Sequence, residues 1–312
     1  MLTVIAGIAG IALLYYGAEF LVKGGSSIAL KMKISPLVIG LTLVAYATSA
    51  PELVVSVDAA LKGMGDISLG NVVGSNICNI ALILGLCAVI TPLQVNKNLL
   101  KFDIWVMIIA AVMLAGSFWV FHGVNRIIGA VLLTCSIAYT VWSVYASRRE
   151  QNAQDANADL PAKIYPLYLA IALTIAGLAA LIGGAKCFVY AATALAKALN
   201  ISDAVIGLTV VAVGTSLPEL ATSVVAAIRK ETDIAVGNVI GSNIFNVLAI
   251  LAIAPLIKPI HAVGISNVDM VLMIAVSLLL YPFMRTGMKI NRLEGAVMLA
   301  IYIGYTAYLI VK

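Results

Sequence analysis

Charge is what this chain has least of. Only 11% of its 312 residues are Asp, Glu, Lys or Arg, under half of the roughly 25% that a soluble domain carries. That excludes a soluble globular enzyme, a disordered protein and a nucleic-acid binder. The formal net charge of +5, from 19 basic and 14 acidic residues, signals no polyanionic partner. Histidine occurs twice, at His122 and His261, both near loops and without an assigned role. The four cysteines (Cys78, Cys87, Cys135, Cys187) lie in apolar segments without CxxC or CxxH spacing. They read as buried small hydrophobes rather than as metal ligands or disulfides. No basic residue precedes the first apolar run, and the first to follow it is Lys23. A retained first helix is therefore expected, not a signal peptide.

Apolar sequence is what the chain has most of. Hydrophobic residues make up 62%, and the mean hydropathy is +1.09. Ten apolar segments run near 2–22, 37–61, 67–91, 103–121, 126–146, 164–188, 204–228, 234–257, 267–284 and 293–311, each about long enough to span a bilayer. The polar stretch 147–163 divides them five and five and reads as a solvated linker. The chain is thus expected to be an all-α membrane protein with two halves, 1–146 and 164–312.

A gapless internal repeat relates these halves. The 47 residues beginning at Ile34 match those beginning at Ile201 at an offset of 167, with 28 identities. Five helices is an odd number, so the second half enters the membrane from the opposite side. The duplication is inverted, as in many secondary transporters. With both termini on one face, the basic residues divide 13 to 6 in favour of the other. The positive-inside bias then puts both termini outside and the linker in the cytoplasm.

Segments 2 and 7 carry Thr48-Ser49-Ala50-Pro51-Glu52 and Thr215-Ser216-Leu217-Pro218-Glu219 near their middles. Proline removes a backbone donor and disfavours helix in the residue before it. Each helix should break there and free carbonyls around Ala45–Thr48 and Ala212–Thr215. A midplane carboxylate costs a few kcal/mol, and no Lys or Arg lies at matching depth. Carbonyls, hydroxyls and carboxylates form an all-oxygen set that suits hard cations such as Na⁺ and Ca²⁺.

Segments 3 and 8 carry Gly70-Asn71-Val72-Val73-Gly74-Ser75-Asn76-Ile77-Cys78-Asn79 and Gly237-Asn238-Val239-Ile240-Gly241-Ser242-Asn243-Ile244-Phe245-Asn246. Ser75 with Asn79, and Ser242 with Asn246, are four apart and share a helix face. The paired glycines admit a close neighbour. Asn71, Asn76, Asn238 and Asn243 are expected to hydrogen-bond the broken backbone. Asp58 lacks a counterpart in the second half, where Val225 stands, so a vestibule role has no support from the repeat.

On these motifs the chain resembles the calcium/cation antiporter superfamily, specifically the sodium/calcium exchangers in their compact prokaryotic form. The resemblance implies ten transmembrane helices as two inverted five-helix repeats with helices 2 and 7 broken. It also implies electrogenic exchange of several Na⁺ for one Ca²⁺, these ions being cargo and no cofactor being needed. Glu52 and Glu219 would be the central carboxylates, joined at calcium by the Thr48 and Thr215 carbonyls. Ser49, Ser75 and the Ala45 carbonyl would form an inner sodium position. Ser216, Ser242 and the Ala212 carbonyl would form an outer one, with Asn79 and Asn246 between.

The chain departs from the family pattern at Asn246, where some relatives carry aspartate, at Ala47, where the second repeat has Gly214, and at Lys186 in segment 6. Proton/calcium exchange and potassium-dependent exchange are the neighbouring alternatives. A passive channel would not need inverted repeats. An intramembrane enzyme would need a nucleophile–base pair that the midplane residues do not offer.

Overall fold

The computed structural model describes residues 2–153, 165–199, 212–262 and 264–311. Nearly all of them are helical. The helices are α1 (Leu2–Lys31), α2 (Pro36–Thr48), α3 (Ala50–Leu61), α4 (Gly65–Ile90), α5 (Leu99–Phe121), α6 (Arg126–Ala153), α7 (Leu167–Ala198), α8 (Ala212–Thr215), α9 (Leu217–Ile228), α10 (Thr232–Ile257), α11 (Asn267–Arg285) and α12 (Arg292–Val311). Eight of them are single helices long and apolar enough to cross a membrane. The pair α2–α3, bent by 48°, makes a ninth span. The first part of segment 7 lies outside the described residues.

Several helices outrun the apolar segments that mark them. α1 continues to Lys31, α7 to Ala198, and α6 to Ala153, so residues 147–153 of the expected linker are helical. The reason is physical. Hydropathy marks where the bilayer ends, whereas Arg, Glu, Gln and Ala remain good helix formers in water.

Close approach of α1 and α7 rests on glycine. A Cβ on Gly17 would lie 2.9 Å from the Gly177 carbonyl oxygen, and one on Gly10 would lie 3.0 Å from that of Gly184. These are reciprocal pairs, since Gly177 and Gly184 stand 167 positions after Gly10 and Gly17. The helices therefore run antiparallel with backbones in contact, and the repeat extends into the first helix of each half.

The same reciprocity appears in two short antiparallel ladders. Leu93–Gln94 (β1) pairs with Lys289–Ile290 (β4), and Gly123–Val124 (β2) pairs with Ile260–His261 (β3). Each half lends one strand to each ladder. Buried carboxyl–tyrosine bonds complete the pattern. Tyr139 donates to Asp103 Oδ1 at 2.9 Å, and Tyr305 donates to Asp269 Oδ1 at 3.0 Å.

The core sits around α4 and α10, which are 72% and 78% buried across their apolar windows, against 11% for α12. Each contains a π-helical stretch, at Cys78–Leu84 and Asn246–Ile250. Such widened turns recur at functional sites because they re-aim side chains.

Candidate cation site

Both expected breaks are present, at Ser49 and Ser216. Ser49 leaves the helical region at φ −83°, ψ 8°, and Ser216 does the same at φ −88°, ψ 7°. Pro51 and Pro218 follow within the first two positions of α3 and α9. That placement suits proline, whose missing N–H is not needed in a first turn. The glutamates then fall in the first turn, where the helix dipole favours negative charge.

The two breaks differ in detail. The Ala45 carbonyl is not freed as expected. It accepts the Ser49 N–H at 3.0 Å and the Thr48 hydroxyl at 3.3 Å. Ser216 N–H instead turns to the Val213 carbonyl, at 3.1 Å, one residue short of Ala212. A carbonyl carries two lone pairs, so neither arrangement disqualifies it as a ligand.

Each half completes the other's site. Ser49 donates to Glu219 Oε1 at 2.8 Å, and Ser216 donates to Glu52 Oε1 at 3.1 Å. Ser216 also lies 3.3 Å from Ser75 Oγ. Both glutamates are 1% exposed. Neither forms an ion pair among the described residues.

The asparagines act in two sets, and the expectation for them holds for one. Asn71 donates to the Glu52 carbonyl at 3.1 Å and to Ser56 at 2.9 Å. Asn238 donates to the Glu219 carbonyl at 3.4 Å and to Ser223 at 2.9 Å. Asn238 also accepts the Thr48 hydroxyl at 3.1 Å. These bonds support the turns after each break. Asn76 and Asn243 instead reach across to each other's backbone carbonyls, at 3.4 and 3.3 Å. They miss the broken helices because the π-helical stretches bring α4 and α10 face to face.

That second set determines what Asn79 and Asn246 present. Asn79 Nδ2 donates to Asn243 Oδ1, and Asn246 Nδ2 to Asn76 Oδ1, both at 3.0 Å. With their amide nitrogens held, the carbonyl oxygens are left over. Asn79 Oδ1, Asn246 Oδ1, Glu52 Oε2, Glu219 Oε2 and Ser242 Oγ are all buried without a hydrogen-bond partner. An unpaired buried acceptor costs about 1–3 kcal/mol, and more when charged. Five such oxygens on the two glutamates, the two asparagines and Ser242 make a set that lacks an electrophile.

Gly237 and Gly241 of α10 meet α2 at backbone distance, a Cβ on Gly237 lying 2.7 Å from the Leu37 carbonyl oxygen. The expected close approach is present there. At Gly74 no described residue lies within 4 Å. Asp58 is remote from the site in character: it is exposed and pairs with Lys62 at 2.6 Å. Lys186 is exposed, consistent with a side chain that snorkels to the interface. The carboxyl–tyrosine pairs of the outer helices escaped the sequence reading. The Asp and Tyr spacing of 36 in both halves was the available signal.

The family model described as sodium/calcium exchanger protein matches residues 2–145 and 169–311. The chain belongs to the sodium/calcium exchanger family. Within that family, the sodium/calcium exchanger MaX1 of Methanosarcina acetivorans is 36% identical over 96% of each chain. The inner membrane protein YrbG of Escherichia coli is 37% identical over 81% of this chain and 79% of its own. The solved structure of the sodium-calcium exchanger NCX_Mj, soaked with zero Na⁺ and Ca²⁺, superposes with a TM-score of 0.85. It is 40% identical and the match covers 99% of both chains. This exchanger-family chain is accordingly an integral membrane protein of transporter type.

Proposed function

We propose that this protein exchanges Na⁺ for Ca²⁺ across the membrane by alternating access, normally extruding calcium. The observation that carries the reading is a set of five buried oxygens left without donors, one on each of two glutamates that form no ion pair among the described residues and three on Asn79, Asn246 and Ser242. An all-oxygen set of that kind matches hard cations. Glu52 and Glu219 supply up to two negative charges, balanced either by one Ca²⁺ or by sodium ions. The two loads compete for the same oxygens. Thr48, Thr215, Ser49, Ser216, Ser75, Ser242, Asn79, Asn246 and the carbonyls of Ala45 and Ala212 complete the ligand set.

The ten-span architecture belongs to this proposal: two inverted halves, termini outside, the linker in the cytoplasm, in the plasma membrane. The antiparallel α1–α7 contact and the reciprocal ladders support inversion. An empty site leaves two bare carboxylates in a low-dielectric core, so the unloaded protein resists reorientation. That penalty couples the two fluxes. The α1–α7 pair, joined through glycine, slides as one unit across the α4–α10 core as the gate. Exchange of three Na⁺ for one Ca²⁺ moves one net charge, worth about 2.3 kcal/mol per 100 mV.

The test is ⁴⁵Ca²⁺ uptake into proteoliposomes under an outward Na⁺ gradient. Uptake is expected with wild type and not with E52Q or E219Q. Uptake indifferent to both substitutions removes the site assignment. Uptake driven by a pH gradient in sodium-free buffer replaces Na⁺ with protons as the coupling ion.

A further inference from the structure

A second built site lies away from the glutamates, where α5 and α6 meet at the face richer in basic residues. A cavity of about 790 Å³ opens there. Its polar wall carries Lys97, Lys101, Asp103, Ser143 and Glu150. Lys97 and Lys101 are exposed and form no ion pair among the described residues. Asp103 has one oxygen occupied by Tyr139, and Glu150 has one occupied by Asn98 at 2.7 Å. The second oxygen of each has no hydrogen-bond partner among the described residues. Ser143 is 3% exposed, and its hydroxyl, beside the Tyr139 phenol, is left without a well-formed hydrogen bond.

The cavity continues into the bilayer-facing surface. Phe102 and Trp142, with ring centroids 3.8 Å apart, belong both to its wall and to an adjoining apolar groove of about 440 Å³. Trp142 also lines a second groove of about 530 Å³ along α6. A polar chamber carrying both signs of charge thus adjoins an apolar groove and the apolar face of α6, which meet at one tryptophan.

The other half isolates these features. It keeps the carboxyl–tyrosine bond as Asp269–Tyr305. It has Asn267, Tyr308 and Leu309 where the first half has Lys101, Trp142 and Ser143. The carboxyl–tyrosine bond therefore serves the fold in both halves, whereas Lys101, Trp142 and Ser143 are confined to one.

We propose that this cavity binds a zwitterionic aminophospholipid. The phosphate sits on Lys97 and Lys101, which match it as charge-assisted donors. The primary ammonium donates to the free oxygens of Glu150 and Asp103, and the Ser143 hydroxyl is satisfied by the headgroup. One acyl chain follows the groove past Phe102 and Trp142, and the other lies along the apolar face of α6 from Trp142. Two carboxylates beside the two lysines disfavour a headgroup that is only negative.

The experiment is native mass spectrometry of the full chain, released from detergent after exposure to equimolar phosphatidylethanolamine, phosphatidylcholine and phosphatidylglycerol. Preferential retention of one phosphatidylethanolamine is expected. Its quaternary analogue has the same charge but no N–H to donate, so it should be retained about tenfold less. K97A/K101A and, independently, E150Q should each lower retention about tenfold. K97R/K101R should keep it, and N267A should leave it unchanged. E150Q alters only an exposed helix end, so it tests the proposal even where the double variant is unstable. Phosphatidylglycerol retained over phosphatidylethanolamine overturns the proposal, as does equal retention of phosphatidylcholine or indifference to E150Q.

Discussion

At the glutamates the two halves of the molecule are interchangeable; at the neighbouring turn they are not. Ser49 serves Glu219 as Ser216 serves Glu52, and the asparagine pairs repeat the exchange. Yet the first break carries Ala47 where the second carries Gly214. A Cβ on Gly214 would collide with the Val189 side chain of α7, so that break lies directly beneath one of the proposed gating helices. Symmetry is kept where charge must be balanced against a cation. It is lost where packing against the gate decides.

The largest effect should test the symmetric part. E52Q and E219Q each remove one charge and leave the other carboxylate facing an incomplete partner. Against a bound cation, losing one partner of a buried charge pairing is worth about 3–5 kcal/mol, so each should lower sodium-driven calcium uptake about a hundredfold or more. The losses should be alike. A variant that retains most of its uptake while its counterpart is dead would show that the halves do not share the ion equally.

The asymmetric part should respond next. G214A forces a methyl group into Val189, an overpacking of about 1–3 kcal/mol. Uptake should fall about tenfold, and V189A in the same chain should restore it. A47G adds no bulk and should cost about 0.5–1 kcal/mol through backbone freedom. Equal behaviour of G214A and A47G would remove the distinction between the breaks.

A smaller and again symmetric effect is expected in the outer helices. Y139F and Y305F each remove one hydrogen bond to a buried aspartate and should cost about 1 kcal/mol. Thermal unfolding in detergent should place the two variants together. Y139F alone destabilising would mean that the two outer hairpins are held by different means.

Much of this was legible in the residues. The TSxPE breaks follow from proline geometry, and the glutamate site follows from stranded charge at mid-helix. What was not legible arose from contacts across sequence distance. Hydropathy cannot show that α6 continues as a solvated helix to Ala153. Periodicity cannot show that Asn76 and Asn243 turn to each other rather than to the breaks. That choice depends on π-helical widening at Cys78–Leu84 and Asn246–Ile250. The Ala45 carbonyl stayed bonded because Ser49 N–H still reaches it, which proline two residues later does not prevent.

The smallest effect concerns the contact between α1 of the first half and the loop after α9 of the second. Glu19 of α1 pairs with Lys23 at 2.7 Å and with Arg229 of that loop, and Ser26 donates to Glu231. Glu231 lies outside the spanning helices. Its carboxyl is raised above the ordinary value of 4.5 chiefly by burial, with the Ser26 hydroxyl and the Arg229 charge opposing. A raised acid binds its proton more tightly folded than unfolded. Its stabilising contribution is therefore complete below 4.5 and is lost as pH rises through the folded value. Unfolding followed from pH 4 upward should show a decline that E231Q flattens, since glutamine keeps an acceptor for Ser26 without titrating. An E231Q profile superimposable on wild type would mean that the carboxyl carries no such linkage, and that α1 is held at this face by Glu19 alone.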